Sequence, residues 1–234
     1  MTRGEYLDIL RKDYDIVRTL SNNNNALILL LRHKTIGKKL VLRSYAQPVK
    51  AYDFIKTIAF DNLPIVYDSL YFDDGQAVLE EYVDGVTVAD VIENGLYTYK
   101  GARTVIRGVC NALIPLHANG FIHRDIKPEN IIISNEATVK LIDFNASKIY
   151  TPNAQRDTVQ IGTIGYAPPE QLGLAQSSVQ TDIYALGVLL NVMLTGKHPS
   201  NQLARGKAGR IVLKCTQIDP KSRYQSVEKL ISEL

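Results

Sequence analysis

Residues 123–148, HRDIKPENIIISNEATVKLIDFNASK, constrain this chain more than any other stretch. They set Asp125, Lys127, Asn130 and Asp143 at fixed spacing, with Asn130 five positions after Asp125 and Asp143 thirteen after Asn130. A loop, two short strands and a turn between them would bring one ammonium, one carboxamide and two carboxylates together. A carboxylate at such a point accepts or orients a hydroxyl proton, and an ammonium neutralises charge on a moving phosphoryl group. Paired carboxamide and carboxylate oxygens are hard ligands of the kind that magnesium takes.

Composition narrows the class. The chain has 234 residues, enough for one large domain or two small lobes. Its formal charge of +3 comes without a block of like charges, so no nucleic-acid partner is implied. Cys110 and Cys215 stand outside any CxxC or metal-ligand pattern, and a reduced cytosolic interior is the default. Charges run through the first twenty residues, unlike an ordinary signal peptide, and the longest apolar runs are too short to span a membrane. The expectation is a cytoplasmic protein, or the cytosolic domain of a longer one, with no membrane segment in this chain.

The periodicity changes along the chain. Residues 26–32 and 40–45 read as strands around a turn at Gly37, and 63–71 and 76–82 as two more around Asp73, Asp74 and Gly75. Residues 47–59 are a weak helix candidate. From Thr87 the spacing becomes helical, and 181–195 is almost wholly apolar after Asp182, as in a helix buried inside a lobe. Residues 227–234 read as a last short helix.

The motifs resemble those of the eukaryotic-type Ser/Thr protein kinase family of bacteria. The resemblance rests on HRDIKPEN, the Asp143-Phe144 pair, GTIGYAPPE at 162–170, TDIYALG at 181–187 and DPKSRY at 219–224. It is strong over 117–224 and loose before 76. It implies an α+β, two-lobed fold: a β-rich N-lobe over 1–80, a hinge over 81–85 and a helical C-lobe over 86–234. It implies ATP and Mg2+ as cofactors and a protein with Ser or Thr as substrate, and leaves room for a regulatory partner or dimer. Asp125, Lys127 and Asn130 take the catalytic roles, and Asn130 and Asp143 the metal. Arg43, Glu81, Val83, Asn23 and Asn24 fall where the family holds the nucleotide. Glu170 and Arg223 match a structural ion pair, and Asp182 the Asp that holds the catalytic-loop backbone. Thr163 resembles the Thr that bonds the catalytic Asp. Thr158 is the candidate for regulatory phosphorylation, with Arg124 to receive the phosphate, against the alternative of an ordinary loop Thr.

The small-lobe half departs from the family. An Asn tract at 22–25 replaces the glycine-rich loop; it either caps phosphates with more bulk or is a plain hairpin tip. Arg43 replaces the strand Lys, a change that is not conservative. Counting back from Leu63 puts Ala51 where the helix Glu belongs, with Asp53 the nearest acid. Glu80 sits at a position that is usually apolar or small and polar in the family. Either it pairs with Arg43, or a one-residue register shift turns it to solvent. Asn145 replaces the Gly after Phe144, and Asn tolerates unusual backbone angles. The docking-helix region after Pro199 is trimmed, so substrate recognition is reduced or supplied by a partner. Three functions follow, in descending order: a Ser/Thr protein kinase with atypical nucleotide clamping, a pseudokinase serving as a binding or scaffolding module, and a small-molecule phosphotransferase.

Overall fold

The computed structural model describes residues 1–150, 165–172 and 176–234. The chain forms two compact units, Met1–Asp84 and Gly85–Leu234.

The first unit is a five-stranded antiparallel sheet with helices. Helix α1 (Arg3–Leu10) precedes strands β1 (Tyr14–Asn22), β2 (Ala26–His33) and β3 (Lys39–Tyr45). The short helix α2 (Ala51–Ile55) then leads to β4 (Val66–Phe72) and β5 (Gly75–Glu81). The strand order is β1-β2-β3-β5-β4. Alternation splits the side chains between two faces. Leu29, Leu31, Leu40, Leu42, Ala77 and Leu79 form one face, and Tyr6, Leu7 and Leu10 of α1 pack on it. Val41, Arg43, Val78 and Glu80 alternate with these residues and lie on the other face. Thr2 and Glu5 close a capping box at the start of α1.

Sequence periodicity did not signal α1 or β1. Strand β1 is mostly exposed, and backbone pairing to β2 makes it a strand. Two register shifts interrupt that pairing, which blunts an edge that would otherwise add a foreign strand. The helix expected over 47–59 shrinks to the five residues of α2. Pro48 keeps the residue before it extended, and the Thr57 hydroxyl donates to the Phe54 carbonyl just after the helix ends. Polar bonds anchor this stub. Gln76, fully buried, accepts from the Val49 amide at 2.6 Å and donates to the Ser69 hydroxyl at 2.9 Å. Ser69 and Tyr71 both donate to Asp53.

The second unit is mainly helical. It holds β6 (Gly85–Thr87), α3 (Val88–Asn94), α4 (Tyr99–Ala118), β7 (Phe121–Ile122), β8 (Ile131–Ser134), β9 (Val139–Leu141) and β10 (Lys148–Ile149). Helices α5 (Val179–Thr195), α6 (Gly206–Cys215) and α7 (Val227–Glu233) complete it. Helix α5 is buried on nearly every side, as its apolar run predicts, and ends at Gly196 with φ 68°. Asn191, buried inside it, donates to the carbonyls of Lys197 and Gln202 and accepts from the Ala204 amide, each at 2.8 Å. These bonds fold the segment after α5 back onto the helix. Gly187 lets α5 meet α6 closely: a Cβ there would lie 2.4 Å from the Cys215 Cβ. No helix among the described residues is long and apolar enough to cross a membrane.

Candidate active site

The strand register between β8 and β9 assembles the site. Ile131 pairs with Leu141, and the Ile142 amide donates to the Asn130 carbonyl at 2.9 Å. Asp143, the next residue, is thereby carried to the end of the ladder where Asn130 begins it. The loop ahead of β8 brings the other groups. Lys127 Nζ lies 2.9 Å from Asp125 Oδ2. Asn130 Nδ2 donates to the Asp125 carbonyl and to Oδ2, both at 2.9 Å. Asp125, Lys127 and Asn130 are therefore gathered around one carboxylate, which stays partly exposed.

The loop is held from beneath. Asp182 accepts from the His123 amide at 2.9 Å and the Arg124 amide at 2.8 Å, and its Oδ2 lies 2.8 Å from His117 Nε2. Burial alone would raise the Asp182 carboxyl. The His117 hydrogen bond, the two His charges and the Arg124 amide together hold it below its ordinary value. Arg124 adopts φ 71° and Asp143 φ 65°, a left-handed backbone that is costly for residues with a side chain. Gln171 braces the first of these by donating to the Arg124 carbonyl at 2.7 Å. Burial lowers the His123 imidazole pKa, against the partly offsetting charges of Asp182, Asp125 and Asp143. The Asp125 amide donates to His123 Nδ1 at 3.3 Å, and the ring meets Phe144 edge-on at 5.1 Å. Sequence reasoning missed His117 and Gln171. Their signal was a polar residue within an apolar setting, on α4 and directly after Glu170.

Arg223 and Glu170 form a buried fork, with contacts of 2.5 and 3.0 Å. The Arg223 guanidinium also donates to the carbonyls of Gln217, Gln180 and Ile218, which employs all five of its N–H groups. Arg124 is buried. Thr158 and Thr163, the expected regulatory positions, lie outside the described residues. Asn145 is not needed for unusual backbone angles: the left-handed residue of this turn is Asp143, and the Asn145 amide donates to its Oδ1 at 3.4 Å.

In the first unit, Arg43 Nε lies 2.6 Å from Glu80 Oε1, with the residues 5% and 2% exposed. Arg43 is opposite Val78, so Glu80 is its diagonal neighbour on the same face, and the register that would turn Glu80 to solvent is absent. Asp53 is occupied by Ser69 and Tyr71. Ala51 is buried in α2. The Asn23 side chain serves the hairpin itself, since its Oδ1 accepts from the Asn25 and Ala26 amides. Asn23 and Asn24 line a cavity of about 270 Å³ together with Arg3, Leu7, Leu42 and Asp74. Leu42 belongs to the α1 face of the sheet, so this cavity opens on the face opposite Arg43. The Glu81 carboxylate accepts from the Ile65 amide at 3.0 Å, and Val83 is buried.

Asn130 and Asp143 supply hard oxygens. Because Asn130 Nδ2 donates to Asp125, its Oδ1 is the atom left for a cation. Among the described residues no three His, Cys, Asp or Glu side chains cluster. The donor set fits magnesium, which takes one or two protein oxygens and fills its octahedron with water and phosphate oxygens.

A β-rich unit, a helical unit built on α5 and a braced HRD loop define a protein kinase domain. The sequence profile of that family, described as protein kinase domain, matches residues 31–233, and the chain belongs to it. The probable serine/threonine-protein kinase PknB of Lactococcus lactis subsp. lactis is 29% identical over 202 residues, 76% of this chain and 32% of that protein. A probable serine/threonine-protein kinase of Clostridium perfringens is 28% identical over 237 residues, 91% of this chain and 34% of that protein. The serine/threonine-protein kinase PknB of Mycobacterium tuberculosis is 32% identical over 184 residues, 67% of this chain and 29% of that protein. The chain thus spans about a third of the length of these relatives.

Proposed function

We propose that the chain is a Ser/Thr protein kinase that uses ATP and magnesium. The observation that carries the reading is Asp125 held by Lys127 and Asn130 at 2.9 Å each, with Asp143 brought beside Asn130 by the β8–β9 ladder. In the reaction the substrate hydroxyl oxygen forms a bond to the γ-phosphorus as the bond to ADP breaks. Asp125 orients the hydroxyl and takes its proton. Lys127 neutralises charge on the moving phosphoryl. Asn130 and Asp143 would hold magnesium, which would supply positive charge to the phosphates. Arg43 serves as the phosphate-facing cation of the small lobe, positioned by Glu80 rather than by a helix acid, and Glu81 and Val83 serve the adenine side. The names of the relatives support Ser/Thr specificity.

A second reading is a pseudokinase that binds nucleotide or a partner without transfer. It is favoured by Arg43 in place of the strand Lys and by Ala51 in place of the helix acid. A thermal shift with ATP, with and without magnesium, and phosphate transfer to Ser and Tyr peptides separate the two. Magnesium-dependent stabilisation with transfer to Ser alone supports the kinase. Stabilisation without transfer supports the second reading.

A further inference from the structure

One acid-free, positively charged segment lies in the second unit. Residues 183–218 hold five of the 27 Lys and Arg and none of the 24 Asp and Glu, leaving 22 cations against 24 acids elsewhere. Arg205, Lys207, Arg210 and Lys214 are exposed, and the last three recur at helical spacing along α6. Among the described residues none of the four forms an ion pair or a side-chain hydrogen bond. A solvated helix face ordinarily mixes both signs, and neighbouring like charges destabilise it.

At the start of α6 the charges run against the helix dipole, whereas Lys214 in the last turn runs with it. Its first turn carries Lys207 and no acid, and Arg205 precedes it without a side-chain cap. Cations there face the positive end of the helix, which favours anions instead. A cavity of about 460 Å³ opens at this end, lined by Arg205, Lys207, Leu203 and Tyr99. The Tyr99 hydroxyl is buried and has no hydrogen-bond partner among the described residues. Tyr99 and cations without counterions line the same space, and an anionic group of a ligand would pair with those cations.

We propose that this cavity and the α6 stripe dock an acidic polypeptide segment, with an anchoring carboxylate in the cavity and further acids along α6. Charge complementarity selects this occupant, and 207, 210 and 214 span two helical turns, the reach of a short peptide. The proposal rests on the kinase reading only in treating the segment as part of a substrate; the binding itself does not depend on phosphoryl transfer.

The test is fluorescence anisotropy of the full chain with a labelled peptide, Glu-Glu-Leu-Glu-Glu-Leu-Glu-Glu, against its lysine counterpart. Lys207→Glu/Arg210→Glu is compared with the remote reversal Lys12→Glu/Lys50→Glu, which changes net charge equally, and circular dichroism verifies both folds. The account expects binding of the acidic peptide alone, weakened about tenfold or more by the α6 reversal and by less than about threefold by the remote one. Tyr99→Phe, a second and milder variant, should weaken binding with the fold intact. Equal weakening by both reversals would overturn the proposal, as would no binding by the wild type. Binding of phosphatidylserine vesicles or of RNA, with none of the peptide, would assign the surface to another anion and overturn it too. A chain inactive in transfer that still shows the expected pattern would retain the docking surface while losing the kinase reading.

Discussion

Arg43 and Glu80 form a buried ion pair across adjacent strands of one sheet, 2.6 Å apart and almost without solvent. The kinase template joins a strand Lys to an acid on a helix that can move. Here both partners belong to β3 and β5, and the helix acid nearest by sequence, Asp53, is bonded to β4. The cation is therefore fixed by sheet register, not by helix position.

Removing one partner should leave a buried charge. Glu80→Ala and Arg43→Ala should each cost about 3–5 kcal/mol in urea unfolding, while Arg43→Met/Glu80→Met should cost less than either. A double variant as unstable as the sum of the singles would show that the two residues do not act as a pair.

Arg223 should be intolerant even of lysine. An ammonium cannot reproduce a fork to Glu170 and three further donations to carbonyls. Arg223→Lys should cost about 2 kcal/mol or more of stability and Arg223→Ala about 3–5 kcal/mol, each read as a lower thermal midpoint. An unchanged midpoint for the lysine variant would contradict the fork.

Gly187→Ala should destabilise despite the helix propensity of Ala. An exposed helical Gly→Ala gains about 1 kcal/mol. The added Cβ here meets Cys215 at 2.4 Å, and overpacking of that kind costs about 1–3 kcal/mol. Net destabilisation in denaturant unfolding is expected, and Gly187→Ala/Cys215→Ala should not relieve it fully, because the clash is with Cβ.

Acid should weaken the fold through His123. Its pKa is lowered in the folded chain because burial disfavours the charged ring. The unfolded ring titrates near about 6.5, so below that pH the unfolded state binds a proton that the folded state does not. Stability is full above about 6.5 and declines as pH falls toward the lowered value. Asp182 acts in a lower range: its depressed carboxyl contributes above the unfolded value of about 3.9, and that contribution is lost as pH falls through the folded pKa. Thermal midpoints between about pH 7 and 5 should show the decline in the wild type and a flatter one in His123→Phe.

The helical unit was legible in sequence where chemistry and packing coincide. The β8–β9 turn, the α5 helix and the Arg223–Glu170 fork were read from motif and apolar pattern, and the structure contains all three. The Arg43–Glu80 pair was legible for a different reason: a buried carboxylate requires a partner, and the usual one was missing. Helix α1 and β1 were not read, although Thr2 and Glu5 carried the capping-box signature. Strand β1 buries little, so its existence depends on backbone pairing that side-chain periodicity does not record. His117 and Gln171 were missed because their partners, Asp182 and the Arg124 carbonyl, lie far away in sequence.

The central claim is that Asp125 serves phosphoryl transfer in an intact fold. Transfer from ATP to a Ser/Thr protein substrate, measured with magnesium for the wild type and Asp125→Asn alongside their thermal midpoints, tests it most directly. The account predicts transfer by the wild type, a loss of about a hundredfold or more in the variant, and a fold that survives the substitution. Equal transfer by both proteins, or none by a folded wild type, would contradict it.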